Sequence, residues 1–391
     1  MSVADGKPER LWSLDALRGF DMLFISGLGG IVYELAILIF GGSDAWLAQQ
    51  MKHVAWEGFH QHDTIFPLFI FLAGVSYPFS CAAARAKGFG TRELVLKATR
   101  RLVALVALGL IYNGILQFDF AHQRWASVLA RIGMAWYGAA LLYLFVRNVK
   151  ARVAIAVGLL VGYWVVCFFL VAPDAPAGAD SFSAAGCFAG YVDRLLLPGR
   201  MAEPNLDPEG WLSVFPSVAL AMGGVFAGEL VRRTDVTGGR KALALVGAAV
   251  ALAALTWIWT PWCPIIKKIW TPTFVLVCGG ADLAVLAALY WIMDVKGWRA
   301  WAFPLRVIGL NAITVYLLQK VVDIGSVVRF FVGTSATVQQ HFIGSKDLTG
   351  FGLCGLCTSQ ALSLAIYWFV YVLVCWLVLY FLHQKKVFLK V

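Results

Sequence analysis

The feature that most narrows what this chain can fold into is the length of its apolar runs. Runs of about twenty residues, poor in charge, recur along the whole sequence, and a helix needs about that many to cross roughly 30 Å of hydrocarbon. Lipid offers no water to backbone N–H and C=O groups, so each run must close its hydrogen bonds internally. The runs are continuous rather than alternating, which selects helices over a β-barrel. Composition agrees: of 391 residues, 60% are hydrophobic and 14% charged, against about 25% charged in an ordinary soluble domain. The expected fold is all-α, a polytopic membrane helical bundle of about ten transmembrane helices. The predicted spans are approximately 14–40, 62–83, 100–120, 125–147, 151–171, 211–231, 241–260, 271–293, 302–322 and 361–383, within a single transmembrane domain over 1–391. The polar opening "MSVADGKPER" leads into no short apolar core with a small-residue cleavage site, so the first span is expected to be retained.

Orientation follows from Lys and Arg, which favour the cytoplasmic side. With the N-terminus inside, the inner segments are residues 1–18, "ARAKGFGTRELVLKATRR", "RNVKAR", "RRTDVTGGRK", "KGWRAWAFPLR" and "HQKKVFLKV". Together they hold 22 of the 32 Lys and Arg residues. Both termini are therefore predicted to be cytoplasmic, with the loops 172–210 and 323–360 on the other face. The net charge of +10 reads as a collar beside anionic headgroups. It is dispersed over membrane edges and forms no nucleic-acid motif, which excludes a nucleic-acid role. Of the eight cysteines, Cys81, Cys278 and Cys375 fall in or near helices and read as small packing residues. Cys187, Cys263, Cys354 and Cys357 fall near the outer face, where a disulfide is permitted. The "CGLC" at 354–357 has no second Cys pair, so zinc is not indicated.

The stretch "KHVAWEGFHQHDTIFPLFIFLAGVS", residues 52–76, places three of the six histidines where a chain enters the membrane. The spacing of His53, His60 and His62 is not a familiar ligand pattern, and no metal is expected. His60 and His62 suit interfacial anchoring. His53 stands apart, in a short polar-aromatic link just before Asp63, and an imidazole exchanges protons near neutral pH. Asp63 opens the next helix, where an acid either caps the N-terminus or orients an imidazole or receives an amine. "SLDALRGFD" puts Asp15, Arg18 and Asp21 at the inner mouth of the first span, with Asp15 and Arg18 spaced to pair. Arg131 lies inside an apolar span and needs an anion, from a phosphate or a side chain. Asn311 is a polar group near mid-span, suited to helix–helix hydrogen bonding. The aromatic-rich "TWIWTPWCPIIKKIWTPT" at 256–273 reads as an interfacial belt.

Taken in order, "SLDALRGFDM", "HVAWEGFHQHDTIFPLFIFLAGVS", "VLARIGMAW", "GYVDRLLLPGR", "LDPEGWLSVFPSVALAMGGVFAGEL", "IIKKIWTPTFVL", "DVKGWRAWAFPLRVIGLNAITVYLL" and "QKKVFLKV" resemble the bacterial branch of the transmembrane heparan-α-glucosaminide N-acetyltransferase family, over Leu11 to Val391. The resemblance implies an inner-membrane homodimer that takes acetyl-CoA from the cytosol and an amino-sugar acceptor from the opposite face. It implies that His53 is catalytic, as a general base or through an acetyl-histidine. Asp63 would orient His53 or hold the acceptor ammonium. Arg18, Arg100, Arg101 and Arg131 would meet the phosphates of CoA, and Asn311 would line its channel. The chain departs from the lysosomal members, which carry a functional asparagine in a Gly-rich stretch before the histidine. Here "FISGLGGIVYELAILIFGGSDAW" offers Ser26 or nothing. A secondary transporter of amino sugars or muropeptide fragments is the other function the sequence allows. Transporters are often built from internal repeats, and none is visible here.

Overall fold

The structure is a computed structural model and describes residues 11–332 and 360–389. Cys354 and Cys357 lie outside the described residues. The first helix, α1 (Trp12–Leu23), passes through a π-helical turn (Phe24–Leu28) into α2 (Gly29–Phe40). The turn forms at Gly27, whose φ of 124° is open to glycine at no steric cost. A short α3 (Trp46–Gln50) and a 3₁₀ turn (Gln61–Thr64) lead to α4 (Ile65–Ala86), and α5 (Thr91–Tyr112) returns antiparallel. There follow α6 (Val128–Phe145), α7 (Val149–Phe169), the short α8 (Phe188–Leu196), α9 (Val214–Arg232), α10 (Gly238–Trp259) and α11 (Pro272–Leu289). The chain ends with α12 (Phe303–Leu310), α13 (Ala312–Val321), α14 (Ile324–Val332) and α15 (Gln360–Gln384).

Eight helical segments among the described residues are long and apolar enough to cross a membrane, or nine if the bent pair formed by α12 and α13 is one span. That corrects the expected ten. The missing segment is α5, which begins at Thr91 rather than near residue 100. Its first half carries Arg92, Glu93, Lys97, Arg100 and Arg101, so its 22 residues are long enough for a bilayer but too polar at one end to count as an apolar span. The predicted span 302–322 is broken at Asn311, where α12 and α13 meet at 59°.

The bundle centre is α4 against α9, flanked by α6, α7 and α11. Phe71, Val75, Met222, Val225 and Phe274 are fully buried there. Lipid tails are as apolar as leucine, so burial alone does not hold two such helices together, and close approach of small residues does. Gly74 on α4 faces the Ala221 carbonyl, while Gly224 and Gly228 on α9 face the Phe71 and Val75 carbonyls. A methyl group at any of the three would collide with backbone. The same device joins α1 to α12: Gly19 lies against Leu305 and Gly309 against Asp15. A second cluster, built on Met22, Val315, Val328 and Leu379, gathers α1 and α12 to α15. Val250 on α10, Val157 on α7 and Phe369 on α15 point outward as a lipid-facing surface.

The long loop after α7 is structured. Its pairing of Val171 with Cys187 closes it on itself. Cys187 and Cys263 are buried free thiols, as are Cys81, Cys278 and Cys375.

The glycine contacts set a test. Gly224→Leu should prevent α4 and α9 from closing, and overpacking of this kind costs about 1–3 kcal/mol. Gly223 has nothing within 4 Å of an added Cβ, so Gly223→Leu should be neutral. Thermal unfolding followed by size-exclusion chromatography would read both, and equal stability of the two variants would refute this account of the packing.

Candidate active site

The link from Lys52 to His60 has no helix of its own and is fastened at several points. The amide of Gly58 donates to the Ile265 carbonyl at 2.9 Å, and Glu57 pairs with Ile266 in an antiparallel bridge. Gly58 has φ of 123°, a conformation that favours glycine. The Trp56 indole N–H donates to the Phe182 carbonyl at 2.9 Å. His60 Nδ1 lies 3.0 Å from the Lys52 carbonyl, and the Gln61 amide donates to Gln50 Oε1 at 2.9 Å. His60 is thus a loop fastener.

Asp63 is fully buried beneath this link, and its two oxygens do different work. Oδ2 accepts the amide of His60 at 3.1 Å and that of Val54 at 3.5 Å, which caps the 3₁₀ turn. Oδ1 lies 2.8 Å from His53 Nδ1 and accepts Lys267 Nζ at 3.0 Å. Asp63 thus caps the turn with one oxygen and contacts His53 and Lys267 with the other.

Lys267 Nζ is also 2.8 Å from His53 Nδ1, so one ring nitrogen has two suitors. A carboxylate is the stronger partner for an N–H, and Lys267 keeps its own bond to that carboxylate. The favoured tautomer therefore donates Nδ1–H to Asp63 and leaves the lone pair on Nε2. The His53 side chain is 56% exposed, so the ring can be reached from solvent. The His62 ring sits 4.6 Å from the His53 ring, with buried Nδ1 unpartnered, and Gly29 leaves room beside it. An imidazole set by a buried carboxylate, with Lys267 Nζ 3.4 Å from its far nitrogen, is equipped to take a proton or to attack an acyl carbon.

Lys267 was not singled out in the sequence, where it reads as part of an aromatic belt 214 residues from His53. One signal was available. The pair Lys267–Lys268 falls on the face the positive-inside rule leaves poor in lysine. Burial pushes the Lys267 ammonium below the usual lysine range, more than Asp63 beside it pulls it back up. Trp270, buried at the same turn, packs edge-on to Phe66 and Phe274 at 5.3 and 5.5 Å.

The basic candidates divide into two groups. Arg100 and Arg101 line a cleft of about 340 Å³ with Lys97, Ser80 and Trp136, between α4, α5 and α6. The Arg101 guanidinium lies 4.3 Å from the Trp136 ring centre. Arg18 is in electrostatic range of Arg101, bonded to Asp15 at 3.1 Å and to Ser76. These three come together at the end of α4 away from His53. Arg131 does not join them. It is fully buried, and its guanidinium donates to the carbonyls of Gly210 and Ser213 and to the hydroxyls of Ser213 and Ser217, at 2.6–3.0 Å. Its place is at the His53 end, 5.4 Å from the Trp270 ring. Asn311 is apart as well. Its amide donates to the Val387 carbonyl at 3.3 Å and its oxygen accepts the Leu389 amide at 3.3 Å, so it ties the C-terminal segment to the break between α12 and α13. Ser26 accepts from Gln319 at 3.2 Å. Among the described residues, no group of three His, Cys, Asp or Glu side chains is placed to hold a metal ion.

Fold and site together define a polytopic helical membrane protein with a histidine–carboxylate–lysine cluster at one end of its bundle. The chain is distantly homologous to heparan-alpha-glucosaminide N-acetyltransferase. It is 26% identical to the Homo sapiens protein over 374 residues, covering 81% of this chain and 53% of that one. It is 27% identical to the Mus musculus protein over 380 residues, covering 82% and 56%. The chain spans about half the length of these curated relatives. No protein-family model matches it.

The Lys267 ammonium, being lowered, should lose its proton below about pH 10.4, where a free lysine titrates. Asp63 raises that value, so Asp63→Asn should lower it further. Competitive acylation of Lys267 across pH, read by mass spectrometry, measures both. An unchanged or higher value in Asp63→Asn would contradict the pairing.

Proposed function

We propose that the protein transfers an acetyl group from acetyl-CoA to the amine of an amino sugar. One observation carries this reading: the open imidazole of His53 backed by buried Asp63 and by Lys267. The homology points the same way, since the relatives are named for acetyl transfer to a glucosaminide nitrogen. In the proposed reaction, His53 Nε2 removes a proton from the acceptor ammonium. The freed amine attacks the thioester carbonyl, a C–N bond forms and the C–S bond breaks. The CoA thiolate leaves and takes up a proton. Asp63 stabilises the imidazolium formed on the way. Attack by His53 itself, giving an acetyl-imidazole, is the other route.

Arg18, Arg100 and Arg101 are the proposed phosphate contacts, because guanidinium groups donate two parallel bonds to such anions. Arg131 and Asn311 fit this role less well, since their polar atoms are engaged by backbone groups. The helper function that an asparagine supplies in the lysosomal members would fall here to Asp63 and Lys267. With the termini cytoplasmic, the arginine cleft faces the cytosol and His53 faces the acceptor. Residence in a bacterial inner membrane and a homodimeric state complete the proposal.

A transporter reading is favoured by a different observation. Asp21 and Asp282 are buried in the bundle, each with one carboxylate oxygen lacking a hydrogen-bond partner, and intramembrane acids often mark ion pathways. The two readings separate in detergent, where acetyl transfer survives and vectorial uptake cannot occur.

Two variants test the enzyme reading with labelled acetyl-CoA and glucosamine. His53→Ala should lower turnover by about 10²–10⁴ while leaving expression and monodispersity intact. Arg101→Gln should raise KM for acetyl-CoA with little change in kcat, as expected for a contact made equally in ground and transition states. Full activity of His53→Ala would sink the proposal.

A further inference from the structure

Beside the histidine lies a larger cleft that the acetyl-transfer reading leaves unused. Its volume is about 750 Å³, in the range of small-molecule binding sites. One wall is the link that carries His53, through Trp56 and Glu57. The other comes from the turn that carries Lys267, through Trp257, Trp262 and Ile266, with Asp180 closing one side. The Glu57–Ile266 bridge joins the walls, so the cleft opens within a few residues of both site groups.

Its lining is unusual for this protein. Trp257 is 82% and Trp262 57% exposed, so they are not core residues. An aromatic belt in lipid headgroups would explain the tryptophans alone. It does not explain two exposed carboxylates, Glu57 and Asp180, with Ser183 and Thr260 among the same rings. The Ser183 and Thr260 hydroxyls bond to backbone carbonyls and Asp180 Oδ1 accepts the Phe182 amide at 2.6 Å, which leaves the Glu57 carboxylate and the second Asp180 oxygen for water or a polar ligand. The cation Lys268, 5.9 Å from the Trp56 ring, is paired with Glu203 at 2.7 Å, and the charged residues of the lining itself are Glu57 and Asp180, in a chain of net charge +10. Flat indole faces stack on the C–H face of a pyranose, and carboxylates bind hydroxyl and ammonium groups.

We propose that this cleft binds the sugar units that follow the acetylated one, and that the acceptor is an oligosaccharide carrying free amines and hydroxyls rather than sulfate groups. The inference rests on the acetyl-transfer reading for its chemistry and on the cleft alone for its binding. Trp257 and Trp262 supply stacking platforms, and Glu57 and Asp180 repel sulfated chains and attract ammonium groups.

Three acceptors test it with purified protein: glucosamine, its β-1,4-linked trisaccharide, and the 6-O-sulfated trisaccharide. The unsulfated trisaccharide should exceed glucosamine in kcat/KM by about tenfold, with the sulfated chain poorest. Trp257→Ala, and separately Asp180→Asn, should remove most of that advantage and spare the glucosamine rate. Trisaccharide binding to His53→Ala protein, by calorimetry without donor, is the second measurement. Equal use of monosaccharide and trisaccharide, or equal use of sulfated and unsulfated chains, overturns the proposal while leaving acetyl transfer standing. If no acceptor is acetylated by the unaltered protein, yet the trisaccharide binds and Trp257→Ala abolishes binding, the cleft stands and the acetyl-transfer reading falls.

Discussion

A single buried carboxylate organises the functional end of this molecule. An ionised carboxyl without partners would be driven to protonate or to leave the interior. Asp63 escapes that fate because it receives backbone amides on one oxygen and His53 and Lys267 on the other. The backbone bonds fix where the helix starts. The side-chain bonds fix where the chemistry sits relative to that start. Removing one partner from such a buried set typically costs about 3–5 kcal/mol, so the cap and the site stand or fall together.

That arrangement requires a rigid frame, and glycine provides it. The α4 helix carries Asp63 at its head and Gly74 where it touches α9. With Gly224 and Gly228 opposite, two backbones approach until carbonyl oxygens meet Cα atoms, and α4 has no freedom to slide. The same logic at Gly19 and Gly309 fixes α1, which carries Arg18. Packing between helices thus sets the position of both charged ends of the bundle.

How much of this was legible in the sequence depends on the range of the forces involved. Apolar length is local, so the long helices could be read directly, apart from α5, whose charged first half disguises a 22-residue helix, and the break at Asn311; the short α3, α8 and α14 gave no such signal. His53 and Asp63 could be read because they lie ten residues apart in one conspicuous stretch. Lys267 could not, since only the tertiary turn at 260–271 brings it there. For Arg131 the sequence suggested an anion, from a phosphate or a side chain. The structure supplies carbonyls and hydroxyls instead, because the chain from Pro208 to Ser217 wraps the guanidinium and matches its donors. Asn311 was read as a link between helices, and it links a helix break to the C-terminal segment.

The burial of Arg131 also bears on how the site keeps its shape. A catalytic group must be held by neighbours whose own conformations are locked. Arg131 pins the loop at Gly210 and Ser213 and lies behind Trp270, and Trp270 in turn supports Phe66 at the first turn of α4. Beside it, Arg124 closes the same loop through Asp207 at 2.6 and 2.8 Å and through Glu209. Burying a guanidinium is costly, and a full complement of acceptors offsets the cost only when the geometry is fixed. Each such residue therefore rigidifies the loops that flank His53 and Lys267. Of the three clustered groups, Asp63 is sealed in and Lys267 mostly covered, with side chains 1% and 21% exposed. The open imidazole of His53 is left as the member of the cluster that a substrate can reach.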